Sequence, residues 1–234
     1  LIISINQDRT SLVKHFMDKY KTSISSAERL VYLKREWYPL SYTEELLKLS
    51  NSIHRKYEIQ DTIEFLKMSQ PQVKIYKAVK HINLDLCKIA GAHAADGTIN
   101  KNFFSIIEQY EESIEAFNKW IENVFGVKYK INKISNKEYK ISFHSGIITR
   151  YLKNIFNFSD GEKVYIVKEP ETIKCLPLKF RKAFTLGVLT FEAGVGMKHQ
   201  VEFCVASEDF KNSISDILKE CNLKHTSMKK ICYN

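Results

Sequence analysis

The polar and apolar pattern changes character near residue 84. Before that point it is helical. No glycine precedes Pro71, and Pro39 is the only earlier proline, so little interrupts a 3.6-residue period. Two capping boxes, Ser25-x-x-Glu28 and Ser41-x-x-Glu44, predict helix starts. Behind the second, Leu46, Leu47 and Leu49 supply an apolar stripe. A further helix is expected over 61–67, then a break at Met68-Ser69-Gln70. Pro71 suits the first position of a new helix running towards Ile82, with Val73, Tyr76 and Val79 on one side. Helix, short turn and helix displaying Gln72, Lys74 and Lys77 have the layout of a helix-turn-helix DNA reader. Two packed helices with a solvated basic face fit the same pattern. From residue 84 short helices alternate with β-rich runs at 128–133 and 138–143, followed by a helix over 147–156. The stretch 157–178, with Gly161, Pro170 and Pro177, reads as a connector.

Within this second region the chain repeats itself. Ile89-Ala90-Gly91-Ala92-His93-Ala94-Ala95-Asp96-Gly97 aligns with Thr185-Leu186-Gly187-Val188-Leu189-Thr190-Phe191-Glu192-Ala193. Gly91 pairs with Gly187 and Asp96 with Glu192, both 96 positions apart. The same offset, without a gap, pairs Ile107 with Phe203, Glu112 with Glu208, Ile114 with Phe210, Ile121 with Ile217 and Val127 with Leu223. A period of this kind has to be read before a fold is named. Each copy predicts motif helix, strand, helix, strand. The first continues with a strand over 138–143 and a helix over 147–156. Counterparts of those last two elements would run past Asn234, so the second copy is expected to be cut short.

A glycine inside a helix costs about 1 kcal/mol relative to alanine, so one in each copy implies close helix packing. Each motif helix then ends on a carboxylate. The helix C-terminus carries partial negative charge and disfavours an anion. Two such helices packed about a pseudo-twofold axis also bring Asp96 and Glu192 towards each other, which is costly without a cation. Hard oxygen ligands suit Mg²⁺, and a metal between paired carboxylates facing a basic groove is an arrangement for phosphodiester hydrolysis. Taken singly, Asp96-Gly97 is a helix-ending turn and Glu192 a surface residue. The constant offset argues against treating them singly.

Composition agrees with a globular domain: 44% hydrophobic and 27% charged residues. No apolar run approaches the roughly 20 residues that span a bilayer. The opening Leu1-Ile2-Ile3-Ser4 is short and lacks a basic leader, so no secretory signal is expected. The net charge of +9 favours a polyanionic partner. Lys128, Lys130, Lys133, Lys137 and Lys140 form the densest basic run, interleaved with Tyr129 and Tyr139. Cys87, Cys175, Cys204, Cys221 and Cys232 are scattered, without C-x-x-C spacing, which excludes a familiar zinc pattern and suits a reducing cytoplasm. Most are expected to be buried thiols.

The paired segments, together with Val124-Phe125-Gly126-Val127 closing the later helix, resemble the LAGLIDADG homing endonucleases, particularly the intein-type and archaeal branch with two motifs in one chain. The likeness covers residues 84–234. It implies an α+β fold: a pseudo-symmetric pair of αββαββα units, the second incomplete, preceded here by an all-helical N-terminal domain. The expected division is 1–83 helical, 84–157 first unit, 158–178 connector and 179–234 second unit. It further implies Asp96 and Glu192 as metal-binding catalytic acids with Mg²⁺ or another divalent cation, and Gly91 and Gly187 at the helix crossing. Lys101 and Lys198, just after the motifs, stand where basic residues near the catalytic water are found, though they also fit as phosphate or surface lysines. DNA contacts are expected from strands around 98–109, 128–140 and 198–205, with Gln72, Lys74 and Lys77 added by the N-terminal helices. The implied partner is double-stranded DNA with a long asymmetric site, bound by a monomer acting as a pseudo-dimer, cytoplasmic and nucleoid-associated. Three features depart from the family. Ala193 stands where glycine is usual, the splicing residues of inteins are absent, and the second unit lacks its last strand and helix.

Other readings use the same features differently. A non-cleaving transcription regulator on this fold would use the helix-turn-helix and dispense with the acids. An intron RNA maturase would use the basic surface for structured RNA. A structural or interaction protein would use neither.

Overall fold

The computed structural model describes residues 9–21, 23–31, 64–67, 74–160, 166–196 and 200–226. The chain divides into two compact units, Leu1–Lys74 and Ile75–Asn234. Residues 75–83, expected with the helical domain, thus belong to the second unit.

In the first unit, α1 (Arg9–Tyr20) and α2 (Ile24–Val31) form a helical pair. Leu12 and Phe16, one turn apart on α1, are buried with Ala27 of α2, and Val13, Met17 and Tyr20 pack around them. Lys21 takes a left-handed φ of 49°, which ends α1. The capping box at Ser41 lies outside the described residues.

Where helices were expected over 61–67 and from Pro71 onwards, the described residues form strands: β1 (Phe65–Lys67) and, in the second unit, β2 (Ile75–Lys77). The reason is local. Tyr76 is buried between exposed Ile75 and Lys77, a period of two rather than 3.6. Only two helical turns of spacing supported the helix, and such short runs are ambiguous. The helix-turn-helix is therefore not what residues 74–77 build. Gln72 lies outside the described residues.

The rest of the second unit runs α3 (Leu84–Ala95), β3 (Thr98–Ile99), β4 (Phe103–Glu108), α4 (Glu111–Phe125), β5 (Ile131–Ser135), β6 (Glu138–His144) and α5 (Gly146–Phe156). After the short α6 (Glu171–Lys174) come α7 (Leu178–Glu192), β7 (Ala193–Val195), β8 (Val201–Phe203) and α8 (Glu208–Glu220). The fold is α+β, with antiparallel sheets. Residues 84–156 read αββαββα, as expected, and residues 178–220 read αββα. Counterparts of β5, β6 and α5 would begin at residue 227, outside the described residues.

The first copy builds one sheet in the order β3-β4-β6-β5. Its covered face holds Phe104, Ile106, Ile141 and Phe143, all buried under α4. Phe104 stacks on Phe117 of α4 at 5.3 Å and on Phe143 at 5.2 Å, and Tyr129 stacks on Phe143 at 4.2 Å. Asn118 is buried on α4, and its amide donates to the Tyr129 carbonyl (2.7 Å) and accepts from the Tyr129 N–H (3.0 Å). A side chain thus pairs with the loop as a strand neighbour would. Gly126, at φ 70°, turns the chain into that loop. In the second copy, Phe210, Ile214 and Ile217 of α8 are buried, at the positions equivalent to Ile114, Asn118 and Ile121.

Ion pairs hold the second copy to the connector. Arg181 of α7 donates twice to buried Glu169 (2.9 and 3.1 Å) and once to Glu220 of α8 (2.6 Å). Bonding to Glu169 first, and to Glu220, pushes the guanidinium pKa further up despite desolvation. Ser207 caps α8 by accepting from the Phe210 N–H, and its hydroxyl donates to the Val167 carbonyl. Of the described cysteines only Cys87 is buried, where desolvation raises its thiol to about 12; Cys175 and Cys204 are exposed, contrary to expectation. Among the described residues, no helix is long and apolar enough to cross a membrane.

Replacing Asn118 by Ala leaves the Tyr129 N–H and carbonyl without their buried partner. A loss of roughly 1–3 kcal/mol for each unmet group is expected, read as a lowered midpoint in urea unfolding.

Candidate acidic site and nucleic-acid interface

The site starts from one helix crossing. Among the described residues, α3 and α7 make the most extensive packing between elements, and they meet at the two predicted glycines. A methyl group on Gly91 would collide with the Phe184 carbonyl oxygen and lie 2.8 Å from the Val188 nitrogen and 3.0 Å from the Gly187 Cα. One on Gly187 would collide with the Lys88 carbonyl oxygen and lie 2.9 Å from the Lys88 Cα. Lys88 and Phe184 are themselves 96 positions apart. The contact is therefore reciprocal: each glycine seats the carbonyl of the residue three before its partner. That is an isologous contact about a local pseudo-twofold axis.

Around the crossing, Phe191 of α7 packs edge-on against Phe117 and Trp120 of α4, at 6.0 and 6.4 Å. The ammonium of Lys88 lies 5.6 Å from the Trp120 ring and 2.8 Å from Asp85. These contacts join the α7 helix of the second copy to the core of the first.

Both acids stand at helix C-terminal ends, as the sequence predicts. Asp96 is the cap residue of α3, with φ −111° and ψ 0°, and is exposed. Its N–H and that of Gly97 both donate to the Ala92 carbonyl, at 3.1 Å each. Glu192 is the last residue of α7 and is half-buried; the chain leaves it directly as strand, Ala193 having ψ 139°. Asp96 opens into a cleft of about 270 Å³ lined by Thr98, Ser105, Ile106, Ile107, Glu108, Gln109 and Glu138. Among the described residues, no three or more His, Cys, Asp or Glu side chains gather into a metal-ligating group.

The sheet of the first copy has one face covered by α4 and one face without it. Strand register assigns Phe103, Ser105 and Ile107 to the second face, opposite buried Phe104 and Ile106. Ser105 sits between Thr98 and Ser142, Ile107 faces Lys140, and Phe103 faces His144. Asn132 of β5 completes the Lys140 row. The Asp96 cleft lies at the rim of this face, through Thr98, Ser105 and Ile107.

The predicted lysines distribute unevenly. Lys140 lies on the face of Ser105 and Ile107. Lys133 pairs with Tyr139, on the face of Ile141, and its ammonium lies 5.5 Å from the Tyr139 ring. Lys128, Lys130 and Lys137 are exposed in the segments flanking the strands. Lys101 is exposed in the turn between β3 and β4, where its carbonyl accepts from the Thr149 hydroxyl. Lys77 is exposed on β2, Lys74 is half-buried just before it, and Lys198 lies outside the described residues. The polar row Thr98, Ser105, Asn132, Ser142 and His144 was missed individually. Alternation along β4 and β6 was the signal that could have found it.

No family model and no curated protein matches the chain. Among solved structures it is similar to the crystal structure of I-DmoI in complex with DNA and Mn. The likeness has a TM-score of 0.42 and 16% sequence identity, and covers 59% of this chain and 78% of that one.

Gly91→Ala and Gly187→Ala each force the two backbones apart. Each is expected to destabilise by at least the roughly 1–3 kcal/mol of ordinary overpacking. Gly194, whose added methyl would meet nothing within 4 Å, is the control: Gly194→Ala should leave the thermal midpoint unchanged or slightly raised.

Proposed function

We propose that the chain is a metal-dependent endonuclease for double-stranded DNA, of the LAGLIDADG homing type. The observation that carries this reading is the reciprocal Gly91–Gly187 contact, which makes Asp96 and Glu192 equivalent positions at the ends of two crossed helices. Helix C-termini repel a bare carboxylate and attract a cation, so two such ends are a reasonable seat for one. The donor set fits: hard carboxylate oxygens suit Mg²⁺ or Mn²⁺, which take one or two carboxylates and complete their shell with water and phosphate oxygens.

When bound, such a cation supplies Lewis acidity and a water of lowered pKa. The chain's own residues do the rest. Asp96 and Glu192 hold the cation. Lys140 and the polar residues Thr98, Asn132 and Ser142 hold and orient the duplex, as β-sheet readers of DNA do. Lys128, Lys130 and Lys137 neutralise flanking phosphates. Lys101 and Lys198 follow the two acids in sequence and are assigned to phosphates near the cut bonds. The two αββα halves of one chain, unlike in sequence, read the two unlike halves of a long asymmetric site.

With Mg²⁺ or Mn²⁺, the protein should cut members of a randomised plasmid library. Asp96→Asn and Glu192→Gln should each lower cutting by about a hundredfold or more while leaving binding in place. Lys140→Ala should weaken binding across all sequences and reduce the slope of log K against log salt by about one. Binding that persists in EDTA without cutting under either metal would favour a regulator, and preference for structured intron RNA a maturase.

A further inference from the structure

We infer that His93 and Phe158 form a positioning pair that fixes the backbone turn carrying Asp96, an inference that rests on the assignment of Asp96 as a metal-holding acid. The backbone of Asp96, which is exposed, is placed by the turn beneath it. That turn is closed by two N–H groups, of Asp96 and Gly97, sharing the Ala92 carbonyl. Gly97 folds back onto His93: a methyl on Gly97 would lie 2.5 Å from the His93 Cα and 3.2 Å from its Cβ and Cδ2.

The His93 ring is also stacked by Phe158, at 4.0 Å with 25° between planes, and has Phe104 at 6.0 Å. His93 is 4% exposed. His93 thus touches both the glycine turn and an aromatic from the start of the connector, just after Asn157 reverses the chain at φ 54°. Phe158 is in turn packed against Phe156 at 5.4 Å. The acid is tied through one ring to the segment that joins the two copies.

The second copy lacks this device. The equivalents of His93 and Gly97 are Leu189 and Ala193, and α7 runs straight into β7. The two acids are therefore held differently: Asp96 by a stacked turn, Glu192 by the helix and strand that flank it. Ligands must be held within about 0.5 Å of productive geometry, and groups that orient metal ligands are worth about 10- to 100-fold in affinity or activity.

The test uses the full chain and three variants: Phe158→Ala, His93→Leu (the residue of the second copy) and His93→Phe, which keeps a flat ring. Amide hydrogen exchange at Asp96 and Gly97 is measured beside Ala193. Phe158→Ala and His93→Leu should speed exchange at 96 and 97 and leave 193 unchanged, and His93→Phe should restore protection. On DNA with Mg²⁺, the first two should lower the single-turnover rate about tenfold, with Kd within about twofold, and His93→Phe should recover it. Unchanged exchange at 96 and 97, uniform loosening that includes 193, or an unaltered cutting rate would overturn the positioning role. A wild-type chain that cuts nothing would defeat the nuclease reading alone, because the exchange comparison would still decide whether the pair holds the turn.

Discussion

The backbone contact between Gly91 and Gly187 is the constraint on which the second unit depends. A carbonyl oxygen of each helix occupies the space where the other would carry a Cβ. Two interior glycines cost the helices about 1 kcal/mol each in propensity. The crossing offsets that through close packing of α3 and α7 and the aromatic cluster of Phe117, Trp120 and Phe191 beside it. Close approach has a geometric consequence as well. Helices in backbone contact cannot slide or roll without collision, so what stands at their ends is set in relation to the crossing. Small residues on α3 (Ala90, Ala92 and Ala94, all buried) allow this, while α7 brings the bulk: Phe184, Val188 and Phe191.

The two copies reach stability by different means. The first has a four-stranded sheet, four stacked rings and the Asn118–Tyr129 pairing. The second has only two short strands among its described residues, and Arg181 binds Glu169 and Glu220 to tie α7, the connector and α8 together. Buried charge pairs add little net stability against an apolar substitute, yet removing one partner is severe, because the other charge is left desolvated. Such a cluster specifies one arrangement more than it strengthens it.

The repeat was legible because it is written in residue types that have few alternatives. A mid-helix glycine, an acid five residues later and buried apolar positions at Ile114 and Ile121, matched by Phe210 and Ile217, survive any surface divergence. What was not legible depended on parity or on tertiary context. The run Ile75-Tyr76-Lys77 is too short for its period to be decided, and burial of Tyr76 alone selects strand. The lysine run from 128 to 140 reads as one basic surface by charge. Register splits it, since Lys133 shares a face with Tyr139 and Lys140 shares one with Ile107. The His93 stack was hidden because its partner, Phe158, lies 65 positions away in a segment that reads only as connector.

Charge distribution gives the last step. The chain carries a net +9, yet the cleft at the rim of the sheet is lined by Asp96, Glu108 and Glu138 without a lysine or arginine. A phosphodiester approaching the basic flanks would meet local repulsion there, and a low-dielectric wall focuses rather than screens it. An acidic spot inside a basic surface repels phosphate and attracts cations. On the proposed function, Asp96 would hold a cation at this rim together with Glu192, and a cation there would offset the repulsion that Glu108 and Glu138 exert on a phosphate.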